Sequence, residues 1–272
     1  MWWAGSFPSA RASFASGPAA TNGAAPAISL LRENRLAKSK TQIDSRLSSV
    51  LGANVTEQLS DAIQDYLREI YKLESSGVRA TTTSVAEALS VSAPSASVML
   101  KRLAALDLVE HTPYRGVALT DAGRRVALEV IRHHRLLEQY LAETLGVPLD
   151  EVHGEADRLE HALSEELERR IDALLGHPTR DPHGHPIPDA DLNVDALGAR
   201  TLLELSPGER ATVAHVPDGD VDLLRYLSGL ELVPGREVEL KELAPFEGPV
   251  MLRSANGEHA ISREIAGAIG VA

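Results

Sequence analysis

Residues 56–127 place three helical stripes and one short hairpin in immediate succession, and few folds accept that order. In TEQLSDAIQDYLREIYKLESSG, Leu59, Ile63, Leu67, Ile70 and Leu73 recur at three- and four-residue steps, which marks an amphipathic helix that Gly77 stops. A short helix over 84–89 and a turn at 90–91 follow. A third helix starts with Ser92 as cap and Pro94 in its first turn, with Ala96, Met99, Leu103 and Leu106 as the expected buried stripe. LVEHTPYRGVALT then reads as two short strands around a turn at 113–116. Helix–turn–helix followed by a β-hairpin is a winged helix-turn-helix.

Such a block points to double-stranded DNA. Its third helix should expose Ser92, Pro94, Ser95, Ser97, Val98 and Lys101, with Thr82 and Ser84 at the start of the helix before it. Small hydroxyl and apolar groups approach phosphates and thymine methyls closely but give little bidentate base readout, so DNA shape and water should carry much of the sequence choice. Lys101, Arg102 and Arg115, the last at the wing tip, are candidates for phosphate contacts. Residues 61–127 have 8 basic and 8 acidic side chains. Affinity must therefore come from local placement, and a protein-contact role stays open.

Composition narrows the chemistry. The chain of 272 residues has no cysteine and a net charge of -12. Disulfides, cysteine zinc sites, Fe–S clusters and thiol nucleophiles are excluded, and any metal must be held by His, Asp, Glu, Met or backbone oxygen. Residues 128–272 hold 28 of the 39 acidic side chains, which suits a cation-binding part. No apolar run reaches 18 residues, so no membrane span is expected. Residues 1–55 are rich in Ala, Ser, Gly and Pro and read as a disordered or non-native extension without a secretory core, with translation starting near Val55 as an alternative.

The next run, ALEVIRHHRLLEQYLAETLGVPLDEVHGEADRLEHALSEELERRIDALLG, reads as two helices broken at 146–148. His134 and Glu138 stand four apart on the first. Asp157, Glu160 and His161 share a face of the second, with His153 and Glu155 near its start. Each spacing alone is what any charged surface helix shows. Their joint occurrence after a winged helix suggests a metal site, with Leu136, Leu137, Leu141, Leu159, Leu163 and Leu167 building the helix–helix core.

DYLREIYKLE, the SAPSAS turn, VIRHHRLLEQYL, VHGEADRLEHALSEELERRI and the loop HPTRDPHGHPIPD together resemble the diphtheria-toxin-repressor/manganese-transport-regulator family of metal-dependent repressors. The resemblance implies a primary metal site of Asp65, Asp157, Glu160 and His161 and a second of His134, Glu138 and His153, two ions per subunit. Iron-type members place Met and Cys where Asp65 and Asp157 stand, so the carboxylates here favour Mn²⁺ over the alternative Fe²⁺. Manganese-type members carry a ligating Glu where this chain has Arg68. Residues 196–272, with alternations split by SPGE, VPGR and SANGE and helical segments near 221–227 and 264–269, resemble the SH3-like five-stranded barrel of the long members. There His215 and Asp218 align with two further ligands.

The expected architecture is mainly α with small β parts. A winged helix-turn-helix spans 56–127, a metal-binding and dimerisation domain with a proline-containing loop spans 128–195, and an SH3-like β-barrel spans 196–272. The expected function is a cytoplasmic, homodimeric, Mn²⁺-activated repressor of manganese uptake, paired through the helices of 128–175 and bound to a near-palindromic operator. Without metal the carboxylates should repel one another, and because ligating histidines must be neutral, activation should weaken below about pH 6. Two other classes remain. A binuclear hydrolase lacks any accompanying nucleophile or Gly-rich phosphate loop, and a metal-independent winged-helix regulator would take a small organic ligand.

Overall fold

The computed structural model describes residues 59–112, 116–195 and 200–272. The expectations for residues 1–55 and for Arg115 fall outside these residues. Helix α1 (Asp61–Ser75) buries Ile63, Leu67 and Ile70 on the stripe its periodicity marks. Helix α2 (Thr82–Ala88) begins two residues earlier than the sequence suggests. Thr81 caps it in a reciprocal box with Ser84, so both hydroxyls are committed to the helix start. Helix α3 (Ala93–Ala105) is capped by Ser92, whose side chain accepts from the Ser95 backbone N–H, with Pro94 in the first turn. Its buried stripe is Ala96, Leu100 and Leu103. Met99 is half-buried and Leu106 is exposed, because Leu106 is already the C-cap and turns away from the core.

Strands β1 (Val109–Thr112) and β2 (Gly116–Leu119) pair antiparallel as the wing. Gly116 has φ +90°, and a Cβ there would meet the Ala80 carbonyl oxygen at 2.4 Å. That close approach lets the Val117 N–H donate to Ala80 and fasten the wing to the start of α2. Helix α4 (Asp121–Leu145) runs unbroken for 25 residues, through the expected division at 127/128, until Gly146 closes it in the left-handed region. Its first turns complete the winged-helix core with Val126 and Ala127, and its later turns carry Leu136, Leu137 and Leu141 into a second core.

The expected second helix of the metal-binding part is three pieces. Helix α5 (Val152–Leu159) passes into a 3₁₀ turn (Glu160–Ala162), the chain extends at Leu163, and Ser164 caps helix α6 (Glu165–Leu174). The break has a local cause. Ser164 offers its hydroxyl to the Leu167 N–H, and capping geometry requires the extended backbone that ends the preceding turn.

The C-terminal part is one six-stranded antiparallel sheet rather than five strands. β3 (Arg200–Thr201), β4 (Arg210–His215), β5 (Glu237–Leu243), β6 (Val250–Ser254), β7 (Gly257–Ile261) and β8 (Gly270–Val271) lie in the order β3-β8-β4-β5-β6-β7. The extra strand arises because β3 and β8 are two residues each, too short to leave an alternation. Helices α7 (Val221–Gly229) and α8 (Arg263–Ala268) interrupt the sheet near the expected segments and share its core of Leu224, Leu227, Leu240, Leu252 and Ile269. Among the described residues no helix is long and apolar enough to cross a membrane.

Candidate metal centre

Three elements converge on α4. His134 and Glu138, one turn apart, are 4% and 0% exposed. His153 and Asp157 come from α5, Glu160 and His161 from the 3₁₀ turn, and Asp65 with Arg68 from α1. A carboxylate as deeply buried as Glu138 or Glu160 is tolerated only with charged or hydrogen-bonding partners. His134 supplies them: its Nε2 lies 2.9 Å from Glu138 Oε1 and its Nδ1 2.6 Å from Glu160 Oε2.

The residues expected to form one primary set stand in two groups. Asp65, Glu160 and His161 bring one ligand atom each within 4.8 Å of the others, and so do His134, His153 and Asp157. Arg68 spans the gap between them. Its Nη1 donates to Glu160 Oε1 at 2.6 Å and to Asp157 Oδ1 at 3.1 Å. The carboxylates are thus compensated, and the expected self-repulsion without metal does not arise. Burial opposes the charge on Arg68, but Glu160, Asp157, Glu69 and Asp65 outweigh it and raise its pKa.

The expected second set does come together: Glu138 Oε1 lies 2.9 Å from both His134 Nε2 and His153 Nδ1. Asp181 and His183, from the proline-containing loop, close around the same carboxylate. The His183 Nε2–H donates to the Leu149 carbonyl (3.1 Å), and the ring's Nδ1 faces Glu138 Oε1 at 3.7 Å. Glu138 Oε2, Asp181 Oδ2, His183 Nδ1 and His185 Nδ1 are all buried without a hydrogen-bond partner. Buried polar atoms are rarely left so, and the convergence of Glu138, Asp181 and His183, each with one orphan atom, fits a cation. Asp218 stands at the rim, its Oδ2 3.6 Å from His185 Nδ1. Burial would raise its pKa, but Lys72, His185 and His153 pull it down to about 2, so it stays a carboxylate.

Charge fixes the protonation in this arrangement. Burial would depress the His134 pKa, yet Glu138 and Glu160 outweigh burial and raise it to about 9. Burial would raise Glu138, but His134, His153 and His183 hold it well below the usual carboxylate range. His161 is raised by its hydrogen bond to Asp65, against burial. His183 is raised by Glu138 although burial lowers it. A further group of Glu129, His133 and Glu165 lies along α4 and α6, but His133 Nε2 already sits 2.8 Å from Glu168 Oε2, and Arg132 pairs with the same carboxylate.

His215 enters neither group. Its ring fills the space beside Gly270, where a Cβ would fall 2.1 Å from Nε2, and it stands 5.7 Å from the His185 ring. Burial first, then His185 and Arg180, lowers it to about 4 and keeps it neutral. Ser92, Pro94, Ser95, Val98, Lys101 and Arg102 lie exposed on α3, with Val98 70% exposed, while Ser97, Thr82 and Ser84 are half-buried. Asp181, His183 and His185 escaped sequence reasoning. Their signal was present as DPHGH, three donor residues at alternate positions in a loop otherwise read only for its prolines. Gly184 makes that loop possible: its φ is +89°, and a Cβ would meet the Ala214 carbonyl at 2.0 Å. The loop thereby docks on β4, with the Val216 N–H donating to His183.

Three family models match in succession. They are the iron dependent repressor N-terminal DNA binding domain over 58–117, the iron dependent repressor metal binding and dimerisation domain over 120–189, and the FeoA domain over 200–272. The iron-dependent repressor IdeR of Mycobacterium leprae is 35% identical over 226 residues, covering 78% of this chain and 97% of that protein. The diphtheria toxin repressor of Corynebacterium efficiens is 40% identical over 195 residues, covering 68% and 84%. A solved manganese-dependent transcriptional repressor in complex with manganese is 41% identical, with TM-score 0.71 over 77% of this chain and 98% of its own. The manganese regulator SloR is 31% identical, with TM-score 0.67 over 77% and 97%. With three family models matched in succession and relatives 35–40% identical over two thirds or more of the chain, the chain belongs to the family of metal-dependent transcriptional repressors.

Proposed function

We propose that this chain is a cytoplasmic, homodimeric repressor that binds a near-palindromic operator when loaded with Mn²⁺ and so controls manganese uptake. The observation that carries the choice of ion is the donor set: carboxylate oxygens and imidazole nitrogens throughout, with Asp65, Glu160 and His161 joined by Asp157 toward one ion, and His134, Glu138 and His153 joined by Asp181, His183 and Asp218 toward the other. Hard oxygen-rich sets suit Mn²⁺, and thiol or thioether donors are absent from both groups. A bound divalent ion supplies positive charge that several carboxylates share. Asp65 belongs to α1 of the winged helix, while Glu160 and His161 belong to the turn after α5, so these side chains tie the two parts together. Holding α1 holds α3, which shares its core, and aims Ser92, Ser95, Lys101 and Arg102 at the groove.

Dimerisation is supported by an apolar cleft of about 360 Å³ lined by Leu137, Tyr140, Leu163, Leu167, Ile171 and Leu174. Leu167 is 49% and Leu174 67% exposed there, an area of apolar surface that a second copy would cover. Fe²⁺ is the second reading, favoured by the names of the curated relatives. A competitive titration of Mn²⁺ against Fe²⁺, read by mobility shift of operator DNA, tests both. Equal retardation with and without metal overturns the proposal, and activation by Fe²⁺ alone replaces manganese with iron.

A further inference from the structure

We propose that Arg68 is a built-in cation that holds the first group in its metal-free form, and that a divalent ion enters by displacing the Arg68 guanidinium from Glu160 and Asp157. The inference rests on the reading that this group takes a divalent ion. Its basis is where the guanidinium lies. One nitrogen, Nη1, donates to a carboxylate of each group, Glu160 at 2.6 Å and Asp157 at 3.1 Å, and Nη2 stands 3.9 Å from Asp65. The three acids that would share an ion are therefore the three that share Arg68. No other cationic side chain in the described residues touches all three.

The alternative is an ordinary structural ion pair, and three observations weigh against it. The side chain is only 11% exposed, so the guanidinium occupies interior space next to the carboxylates rather than their outer edge. Its Nε is buried without a hydrogen-bond partner, so the pose is not built to satisfy the arginine. The Glu69 carboxylate waits 3.6 Å from that Nε, on the next residue of the same helix, and can receive the guanidinium once Glu160 and Asp157 release it. Guanidinium stays protonated at any pH the fold survives, so it cannot yield by losing charge. It must move, because a divalent ion on the same oxygens would lie within contact distance of a like charge.

Two consequences follow. The metal-free chain keeps α1 linked to the 3₁₀ turn through Arg68, so loading exchanges one cation-mediated link for another and does not order a loose pair of domains. The arginine also lowers affinity at the first group, which sets the metal concentration at which the switch turns.

The test is titration calorimetry of Mn²⁺ into the full chain, with melting curves of metal-free and loaded protein, for Arg68→Met, Arg68→Gln and Arg68→Lys. The neutral variants should bind Mn²⁺ at the first group at least tenfold more tightly than the native chain and melt lower when metal-free. The loaded forms should melt close to the native loaded protein, and Arg68→Lys should stay within about threefold of native affinity, since it keeps the charge. Equal or weaker binding by both neutral variants overturns the proposal and makes Arg68 a support that positions Glu160. Two neutral variants guard against one that fails to fold. Loss of binding in Asp157→Asn reports on the reading beneath: if the native chain and Asp157→Asn bind alike, the assignment of the first group fails as well.

Discussion

Metal affinity and metal-free stability should respond to pH in opposite directions, and His134 sets the interval. In the metal-free chain its pKa is raised to about 9 by Glu138 and Glu160 against the depressing effect of burial. A group raised above its unfolded value of about 6.5 contributes stability that is complete below pH 6.5 and lost as pH climbs through 9. The displacement of about 2.5 units corresponds to about 3 kcal/mol, of which about three quarters is present at pH 7. A ligating imidazole must be neutral, so binding at pH 7 expels a proton from a ring that is roughly 1% neutral. Each unit of pH between 6.5 and 8.5 should raise Mn²⁺ affinity about tenfold from this residue alone, while metal-free protein melts progressively lower. The expected threshold near pH 6 therefore moves up, because an ordinary histidine was assumed and Glu138 and Glu160 make this one a stronger base. Calorimetry in two buffers of different ionisation enthalpy counts the protons, and at least one per chain should leave at pH 7. No proton release, or affinity that is flat from pH 6.5 to 8.5, would refute the reasoning.

Four substitutions probe the rest. Glu138→Gln removes the charge that three histidines face and should destabilise the metal-free chain by about 3 kcal/mol or more in denaturant melts, because it strands buried His134⁺. His183→Ala should reduce the Mn²⁺ content, measured by elemental analysis, by one ion per chain while leaving the ion at Asp65 and Glu160 in place; an unchanged count would remove the loop from the second group. Leu167→Glu places a charge in the apolar cleft and should shift the protein from dimer to monomer in analytical ultracentrifugation, with no change in metal content. Lys101→Ala should weaken operator binding and lower the slope of log K against log salt by about one, whereas an unaltered slope would mean that Lys101 reaches no phosphate.

The fold was legible where local rules and burial agree. The apolar stripe of α1, the Ser92 cap with Pro94, the hairpin turn and the αL glycine after α4 are each decided within a few residues, so the sequence shows them directly. The break at Leu163 was less visible because EHALSEELERR continues a helical pattern through a residue that caps the next helix. Ser164 was the clue, and helical periodicity masked it. The two-residue strands β3 and β8 leave no alternation, and only pairing in three dimensions, β3 with β8 and β8 with β4, defines them.

The candidate centre was legible as a set of residues but not as a partition. Helical spacing puts His134 beside Glu138, and it cannot say that Glu138 also faces a loop more than forty residues away. The partition depends on long-range facts: the Leu149 carbonyl that takes the His183 Nε2–H, and Gly184, which lets the loop lie against β4. Those facts turn an apparent surface motif into a buried, partly unsatisfied cluster. The same argument bears on the choice of ion. If the second group were a hydrogen-bonded core feature, Glu138 Oε2 would have a donor, as Glu168 has Arg132, and Asp181 Oδ2 would have more than the Arg135 guanidinium 3.5 Å away. Unmet donor demand of that kind costs on the order of 1–3 kcal/mol per buried group, more for a charged one. Two buried carboxylates and two imidazoles at that cost are hard to reconcile with a purely structural role, and they fit a cation that accepts oxygen and nitrogen together.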